Sequence, residues 1–250
     1  KHRIAEDRFL IVHIANLYRV KNHPGLLTAL NTLPPRATLV VAGHPTHETD
    51  YVAEVQQALA AHPDVLYIPG LDREGVASAI QAANLVVLSS DSEVSPLCLL
   101  EAMSLKRPWL ATPGCGTANE QAGGLILPLE DFPSAIECLM AHPDYASQLA
   151  HAGYDHWTTC YRWESLLAGW VELIRDGRLS RSFDTPEHIA RLRDDLRARY
   201  RTLHAEASVP QAAVRSQSPA VNTPHPSATV SPDAHRVRHT PVTPSHEGAM

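Results

Sequence analysis

Two glutamates stand eight residues apart in the stretch S-S-D-S-E-V-S-P-L-C-L-L-E-A-M-S-L-K, which runs from Ser89 to Lys106. The stretch predicts a polar loop followed by a helix, with Glu93 in the loop and Glu101 inside the helix. A free helix N-terminus attracts phosphate through its unpaired N–H groups and its dipole, and carboxylates accept hydrogen bonds from hydroxyls. The pattern suits a sugar nucleotide, which carries a diphosphate and has hydroxyl groups at both ends.

The start of this helix is predicted at the Ser-Pro pair. Ser95 is the expected N-cap, and Pro96 is expected at the first helical position, where its missing N–H costs nothing. The backbone amides of Leu97 and Cys98 would then face the ligand. The alternative is structural, because an acidic residue near a helix start is favourable for the helix dipole alone.

Apolar runs alternate with amphipathic segments on both sides of this stretch. Strands are predicted at residues 9–15, 37–42, 65–68, 85–88, 108–111 and 125–127. Helices are predicted between these strands, the first of them ending near Leu33. This alternation predicts an α/β fold with a Rossmann-like, doubly wound parallel sheet, in which ligands bind at the carboxyl ends of the strands. His13, inside the first strand, is interpreted as a core histidine.

The loop after the first strand lacks both common phosphate-binding fingerprints, G-x-G-x-x-G and G-x-x-x-x-G-K-[ST]. It carries Arg19 and Lys21 instead, and a cation there could stabilise a diphosphate leaving group. The alternative is that both are surface residues beside a loop. Glycines near strand ends allow close approach to a ligand, or only form turns; they are Gly43, Gly70, Gly114 and Gly116.

Three further segments are predicted beyond this α/β domain, which spans residues 9–177. Residues 1–8 are interpreted as a truncated linker, since the chain begins without Met, as a fragment or a processed product would. Residues 178–206 are predicted to form a linker and an amphipathic helix. Residues 207–250 contain no aromatic residue and are rich in Pro, Ser, Thr and Ala, which predicts a disordered tail.

The amphipathic helix has an apolar stripe that is expected to pack on the domain, formed by Ile189, Leu192, Leu196, Tyr200 and Leu203. Its arginines are expected to form a solvated face; they are Arg191, Arg193, Arg197, Arg199 and Arg201.

The amino-acid composition of the chain disfavours several classes of binding partner and site. The net charge of -6 argues against nucleic acid, and no apolar run is long enough to span a membrane. The four cysteines lack C-x-x-C spacing, so neither a zinc site nor a disulfide framework is indicated. We expect a cytoplasmic location, including the inner face of a membrane.

The segment from Glu93 to Met103, E-V-S-P-L-C-L-L-E-A-M, resembles the E-x7-E motif of retaining glycosyltransferases of the GT-B fold, in family four. Six further segments, in chain order over about residues 9–175, also resemble motifs of this family. Leu17 with Lys21 resembles the family's G-R-L-x-x-x-K-G loop, residues 39–43 resemble its strand ending in A-G, and Pro69-Gly70 resembles its F-L-G turn. Residues 113–120 resemble its Gly-Gly loop, residues 124–126 resemble its G-x-L-V strand, and Trp163 resembles the tryptophan of its F-S-W motif. The resemblance implies the C-terminal, donor-binding half of such an enzyme.

Enzymes of this family transfer a sugar from a nucleotide diphosphate donor to an acceptor with retention of configuration and without a bound metal. The resemblance implies that Glu101 holds the donor ribose and that Glu93, the candidate catalytic residue, contacts the donor sugar. It implies that Lys21 binds the diphosphate and that the amides of Leu97 and Cys98 bind sugar or phosphate. No cofactor is expected, because the nucleotide sugar is the co-substrate.

The remaining donor-binding candidates are Asn16, Arg19, Gly70, Leu71, Ser95 and Pro96, with Leu71 expected near the base. Asn16 stands where the family has an arginine, so either Arg19 replaces that arginine or the phosphate is held more weakly. Pro45 replaces the second glycine of A-G-x-G. Lys106 replaces the glycine that ends the motif helix, where left-handed geometry would cost about 1 kcal/mol.

A GT-B enzyme has a second Rossmann-like half that carries most of the acceptor site, and this half is expected to be missing here. The alternative functions are a non-catalytic sugar-nucleotide binding or interaction module and an unrelated Rossmann-like domain. The absence of a glycine fingerprint disfavours the latter. Base, sugar and acceptor are left open by the sequence.

Overall fold

The structure of the 250-residue chain is a computed structural model that describes residues 4–5, 7–31, 33–34, 36–177 and 185–207. Four residues of the predicted linker at 1–8, residues 178–184 of the linker before the amphipathic helix, and the predicted tail beyond Ala207 lie outside the described residues.

Six parallel strands form one sheet: β1 (Phe9–Ile14), β2 (Ala37–Ala42), β3 (Leu66–Ile68), β4 (Leu85–Leu88), β5 (Trp109–Ala111) and β6 (Gly124–Ile126). Their order is β3-β2-β1-β4-β5-β6, so the direction of winding reverses between β1 and β4. This confirms the predicted Rossmann-like, doubly wound sheet.

Eight α-helices lie in the described ranges: α1 (His23–Ala29), α2 (Thr49–Ala60), α3 (Arg73–Ala82), α4 (Leu97–Ser104), α5 (Phe132–Ala141), α6 (Pro143–His156), α7 (Trp163–Asp176) and α8 (Glu187–Ala207). α1 ends before the predicted Leu33, which precedes Pro34 and is therefore disfavoured in a helix. No helix in the described ranges is both long and apolar enough to cross a bilayer.

Both faces of the sheet are buried, which explains why its strands are continuously apolar rather than alternating. Ile11 and Leu85 belong to a core shared with α1, α5, α6 and α8, whereas Val12 and Val86 belong to a core shared with α3 and α4. Neighbouring residues of one strand therefore enter different cores.

His13 is fully buried in β1, which confirms its interpretation as a core histidine. Its Nδ1 lies 3.0 Å from the carbonyl oxygen of Val87, and its ring meets that of His23 edge-on at 4.8 Å. His23 lies 3.2 Å from both the Tyr51 hydroxyl and the Ala15 carbonyl oxygen. Burial lowers the pKa of His13 to about 3, with a contribution from the His23 charge, and lowers the pKa of His23 to about 4.

The buried histidines should make stability depend on pH. Between about pH 6.5 and pH 4 an unfolded histidine binds a proton that the buried one does not, so the free energy of unfolding should fall as the pH falls. Because one pKa unit corresponds to about 1.4 kcal/mol, His13→Asn should remove on the order of 3 kcal/mol of this fall by pH 4. Urea denaturation at several pH values measures it; the exposed control His188→Asn should leave the slope unchanged, and equal slopes in both variants would contradict the prediction.

α8 packs on the domain through its predicted apolar stripe, with Ile189, Leu196 and Tyr200 buried against α5 and α6. Leu192 is the exception and is 39% exposed.

The prediction of a solvated arginine face is wrong for Arg193 and Arg197. Arg193 Nη1 donates to the Glu120 carbonyl oxygen at 3.3 Å, and Arg197 donates to the carbonyl oxygens of Asn119 at 3.1 Å and Gln121 at 3.2 Å. These carbonyls lie at the end of a 3₁₀ helix, Gly116–Glu120, where they lack helical partners. Burial lowers the pKa of Arg197 to about 10, so its guanidinium stays charged at neutral pH.

Arg197→Met should therefore destabilise the domain, because it leaves several carbonyl oxygens without a donor at a cost of roughly 1–3 kcal/mol. Arg201→Met is the matched control, since Arg201 lies on the same helix and is exposed. Thermal denaturation of both variants measures the difference. A similar melting temperature for the two would show that the carbonyl contacts do not contribute to stability.

Candidate functional site

A cavity of about 410 Å³ lies at the carboxyl ends of the strands, beside the reversal between β1 and β4. Its walls come from the ends of β1 and β2, the start of α3 and the loop leading into α4. Strands on either side of the reversal send their following helices to opposite faces of the sheet, which leaves a crevice between them.

Most of the predicted site residues line this one cavity. They are Asn16, Lys21, Leu71, Glu93, Ser95, Pro96, Leu97, Cys98 and Glu101.

Lys21 and Glu93 form an ion pair in the cavity wall. The two side chains are only 22% and 15% exposed, and Ser90 Oγ donates a second hydrogen bond to Glu93 Oε1 at 2.9 Å. The expected phosphate-binding cation and the expected sugar-binding carboxylate are thus joined to each other in this structure.

Lys21 is held at the cavity by contacts with the loop that follows β4. Ser89 Oγ donates to the Lys21 carbonyl oxygen at 2.7 Å, and the Asp91 amide donates to the Val20 carbonyl oxygen at 2.8 Å. Asn22, in the left-handed conformation at φ 51°, adds a side-chain hydrogen bond to Asp91 Oδ1 at 3.1 Å. The two loops on either side of the reversal therefore support each other.

The glycines after β5 support the backbone of Glu93. The Glu93 amide donates to the Gly114 carbonyl oxygen at 2.8 Å. A Cβ on Gly114 would lie 2.1 Å from the Asp91 carbonyl oxygen, and one on Gly116 would lie 2.1 Å from that of Glu93. Gly114 and Gly116 thus allow close contact between two backbone segments, a role that differs from both alternatives stated from the sequence.

α4 begins one residue later than predicted. Pro96 is the N-cap, with ψ 105°, and its carbonyl oxygen accepts a hydrogen bond from the Leu99 amide at 3.1 Å. The prediction of Ser95 as N-cap is wrong, because Pro96 has extended rather than helical geometry and is itself the N-cap. The first amides of α4, those of Leu97 and Cys98, lack intrahelical partners and belong to residues that line the cavity.

Two ionisable side chains of α4 have raised pKa values. Partial desolvation raises the pKa of Glu101, opposed by the charge of Arg73. Burial raises the pKa of the Cys98 thiol to about 12, so this residue is a neutral thiol at pH 7 and does not supply a thiolate nucleophile.

The helix of Glu101 ends as the sequence predicted, in a left-handed residue that is not glycine. Lys106 has φ 53°, and its Nζ lies 4.5 Å from the centre of the Tyr154 ring. This cation–π contact offsets part of the backbone strain.

Two predicted residues do not line the cavity. The Arg19 guanidinium lies 3.0 Å from Glu54 Oε2 and 4.8 Å from the centre of the Tyr51 ring. Gly70 has φ 99° and lies beside the imidazole of His44, where a Cβ would be 2.1 Å from the ring.

His44 lines the cavity and was not among the residues predicted from sequence. Its amide donates to Asn16 Oδ1 at 3.1 Å, which joins the ends of β1 and β2. His44 could have been predicted as a cavity residue from its position directly after Gly43, at the carboxyl end of a predicted strand. Ile14, Ala15, Ala42 and Val76 also line the cavity without having been singled out.

In the described part of the chain, no group of three or more His, Cys, Asp or Glu side chains is placed to hold a metal ion.

Solved structures share this fold. HepE from Anabaena, in complex with UDP and glucose, superposes with a TM-score of 0.62 at 18% identity, over 68% of this chain and 49% of that chain. Sucrose-phosphate synthase from Thermosynechococcus elongatus gives 0.62 at 22% identity, over 69% and 46%. Both comparisons span about half the length of the neighbour and, at these identities, establish likeness of fold alone.

A shorter neighbour is matched over most of its length. The C-terminal domain of LpcC, a glycosyl transferase group 1 family protein from Francisella tularensis, gives a TM-score of 0.51 at 22% identity, over 62% of this chain and 86% of that one. The described fold is therefore that of a GT-B C-terminal domain.

Sequence comparison is consistent with the fold. No curated protein matches the chain, but residues 1–125, half of its length, match the family model described as glycosyl transferases group 1. The chain belongs to the glycosyl transferases group 1 family.

Proposed function

We propose that this chain binds the nucleotide sugar donor of a retaining, family-four glycosyltransferase. The observation that carries the proposal is the convergence of Lys21, Glu93, Glu101 and the first amides of α4 on one cavity. Membership of the family supports sugar transfer. The proposed retention of the anomeric configuration rests on the segment 93–103, which resembles the E-x7-E motif.

In this proposal the diphosphate lies between Lys21 and the start of α4. The ammonium group and the amides of Leu97 and Cys98 provide positive charge and hydrogen-bond donors at one end of the cavity. Stabilising the diphosphate as it leaves lowers the barrier to breaking its bond to the sugar.

The two carboxylates have separate roles. Glu101 accepts hydrogen bonds from the ribose hydroxyls, and Leu71 and Val76 provide an apolar surface for the base. Glu93 faces the sugar, where its charge stabilises the positive charge that develops at the anomeric carbon.

UDP-glucose is the first donor to test, because the structure of HepE from Anabaena has also been solved in complex with it. The nucleotide sugar is the co-substrate, and the proposal includes no resident cofactor. The acceptor site would lie mainly on a second Rossmann-like half.

A non-catalytic sugar-nucleotide binding module is the alternative. It is favoured by the phosphate end, where Asn16 replaces the family arginine and Arg19 pairs with Glu54 instead of entering the cavity. The two functions share a binding site and differ in turnover.

Glu101→Ala should weaken the binding of UDP and of UDP-glucose by a similar factor. Both ligands contain the ribose, and each lost hydrogen bond to a charged acceptor corresponds to about tenfold or more in affinity. Calorimetric titration of the chain measures both. The control is Glu137→Ala, an exposed position on α5, and unchanged affinity in Glu101→Ala would assign Glu101 a structural role.

The purified 250-residue chain should bind UDP but transfer glucose slowly or not at all, because it spans 49% of the HepE chain. Transfer to water or to added sugars can be followed by the release of UDP from UDP-glucose. Robust turnover would show that the acceptor site does not require a second half.

A further inference from the structure

The ion pair between Lys21 and Glu93 has a consequence for ligand selection. Among the described residues that line the cavity, Lys21 is the only lysine or arginine. Its charge is compensated by Glu93 in this structure, and both side chains of the pair are largely shielded from solvent.

A bare diphosphate meets two costs at this site. It has to take Lys21 away from Glu93, and it then leaves a poorly solvated carboxylate without its cation and close to an anion. Separating a shielded ion pair costs more than separating an exposed one, because water compensates the released charge less well. Once Lys21 has moved away, the Glu93 carboxylate keeps the hydrogen bond that the Ser90 hydroxyl donates to it.

A nucleotide sugar meets a smaller cost. Its phosphates take Lys21 in the same way, but its sugar hydroxyls can donate to the carboxylate that Lys21 has left. Hydrogen bonds to a charged acceptor are stronger than those between neutral groups. The carboxylate therefore exchanges one partner for another.

We propose that Glu93 competes with ligand phosphate for Lys21 and so makes the cavity select the intact nucleotide sugar over the free nucleoside diphosphate. The second half of this statement rests on the proposed function. After sugar transfer, Glu93 would recover Lys21 and favour release of the diphosphate product.

Pyrophosphate tests the competition without any assumption about base or sugar. Glu93→Gln keeps the shape of the side chain and an oxygen for Ser90 but removes the charge. Calorimetric titration of the full 250-residue chain at about 0.15 M salt should show pyrophosphate binding on the order of tenfold more tightly to Glu93→Gln than to the unsubstituted chain.

Glu101→Gln is the matched control, because it removes the same charge from the same cavity and Glu101 is not paired with Lys21. Its gain in pyrophosphate affinity should be several-fold smaller. In the Lys21→Met background, Glu93→Gln should increase pyrophosphate affinity little further, because no lysine remains for Glu93 and phosphate to compete for. Melting temperatures close to that of the unsubstituted chain would show that the variants are folded.

Three outcomes overturn the inference: Glu93→Gln binds pyrophosphate no more tightly than the unsubstituted chain, Glu101→Gln gains as much, or the gain persists with Lys21→Met. Absence of pyrophosphate binding in every variant overturns it as well.

UDP and UDP-glucose separate the two proposals. In Glu93→Gln the preference for UDP-glucose over UDP should fall, and an unchanged preference would reject selection by Glu93. If pyrophosphate responds as expected but neither UDP nor UDP-glucose binds to the unsubstituted chain, the competition stands and the proposed function is wrong for this donor.

Discussion

The reversal of strand order between β1 and β4 is the constraint on which the site depends. Parallel strands have their carboxyl ends on one edge, and a change in the direction of winding leaves that edge uncovered at one point. The loop carrying Lys21 and the loop carrying Glu93 border this opening from opposite sides. Their ion pair therefore joins segments that are 72 residues apart in the chain.

The position of Glu93 depends on successive layers of backbone contacts. Its amide and carbonyl groups meet the segment from Gly114 to Gly116, where a side chain would clash with backbone oxygens. The 3₁₀ helix that follows is held from its other end by Arg193 and Arg197 of α8. A helix outside the predicted α/β domain thus supports the loop that places a cavity carboxylate, without touching the cavity itself.

Local sequence patterns were sufficient to predict the structure wherever one kind of interaction dominates. Continuous apolar runs predicted the strands because both faces of the sheet are buried, and the E-x7-E spacing predicted which residues would lie near the start of α4. The prediction was wrong for Arg193 and Arg197 because long polar side chains on a helix usually face water. The sequence does not indicate that the carbonyl oxygens at the end of the 3₁₀ helix lie next to these two arginines. It was also wrong for Ser95, since the backbone geometry of Pro96 decides where α4 begins.

The sequence by itself determined the Rossmann-like sheet, the family and most of the residues around the cavity, because periodicity and motif spacing are local properties of the chain. Only the tertiary structure decided which of these residues meet. It paired Lys21 with Glu93, directed Arg19 to Glu54 and added His44 to the wall. Partners far apart in the chain are chosen by packing and charge in the folded state, and no local pattern records that choice.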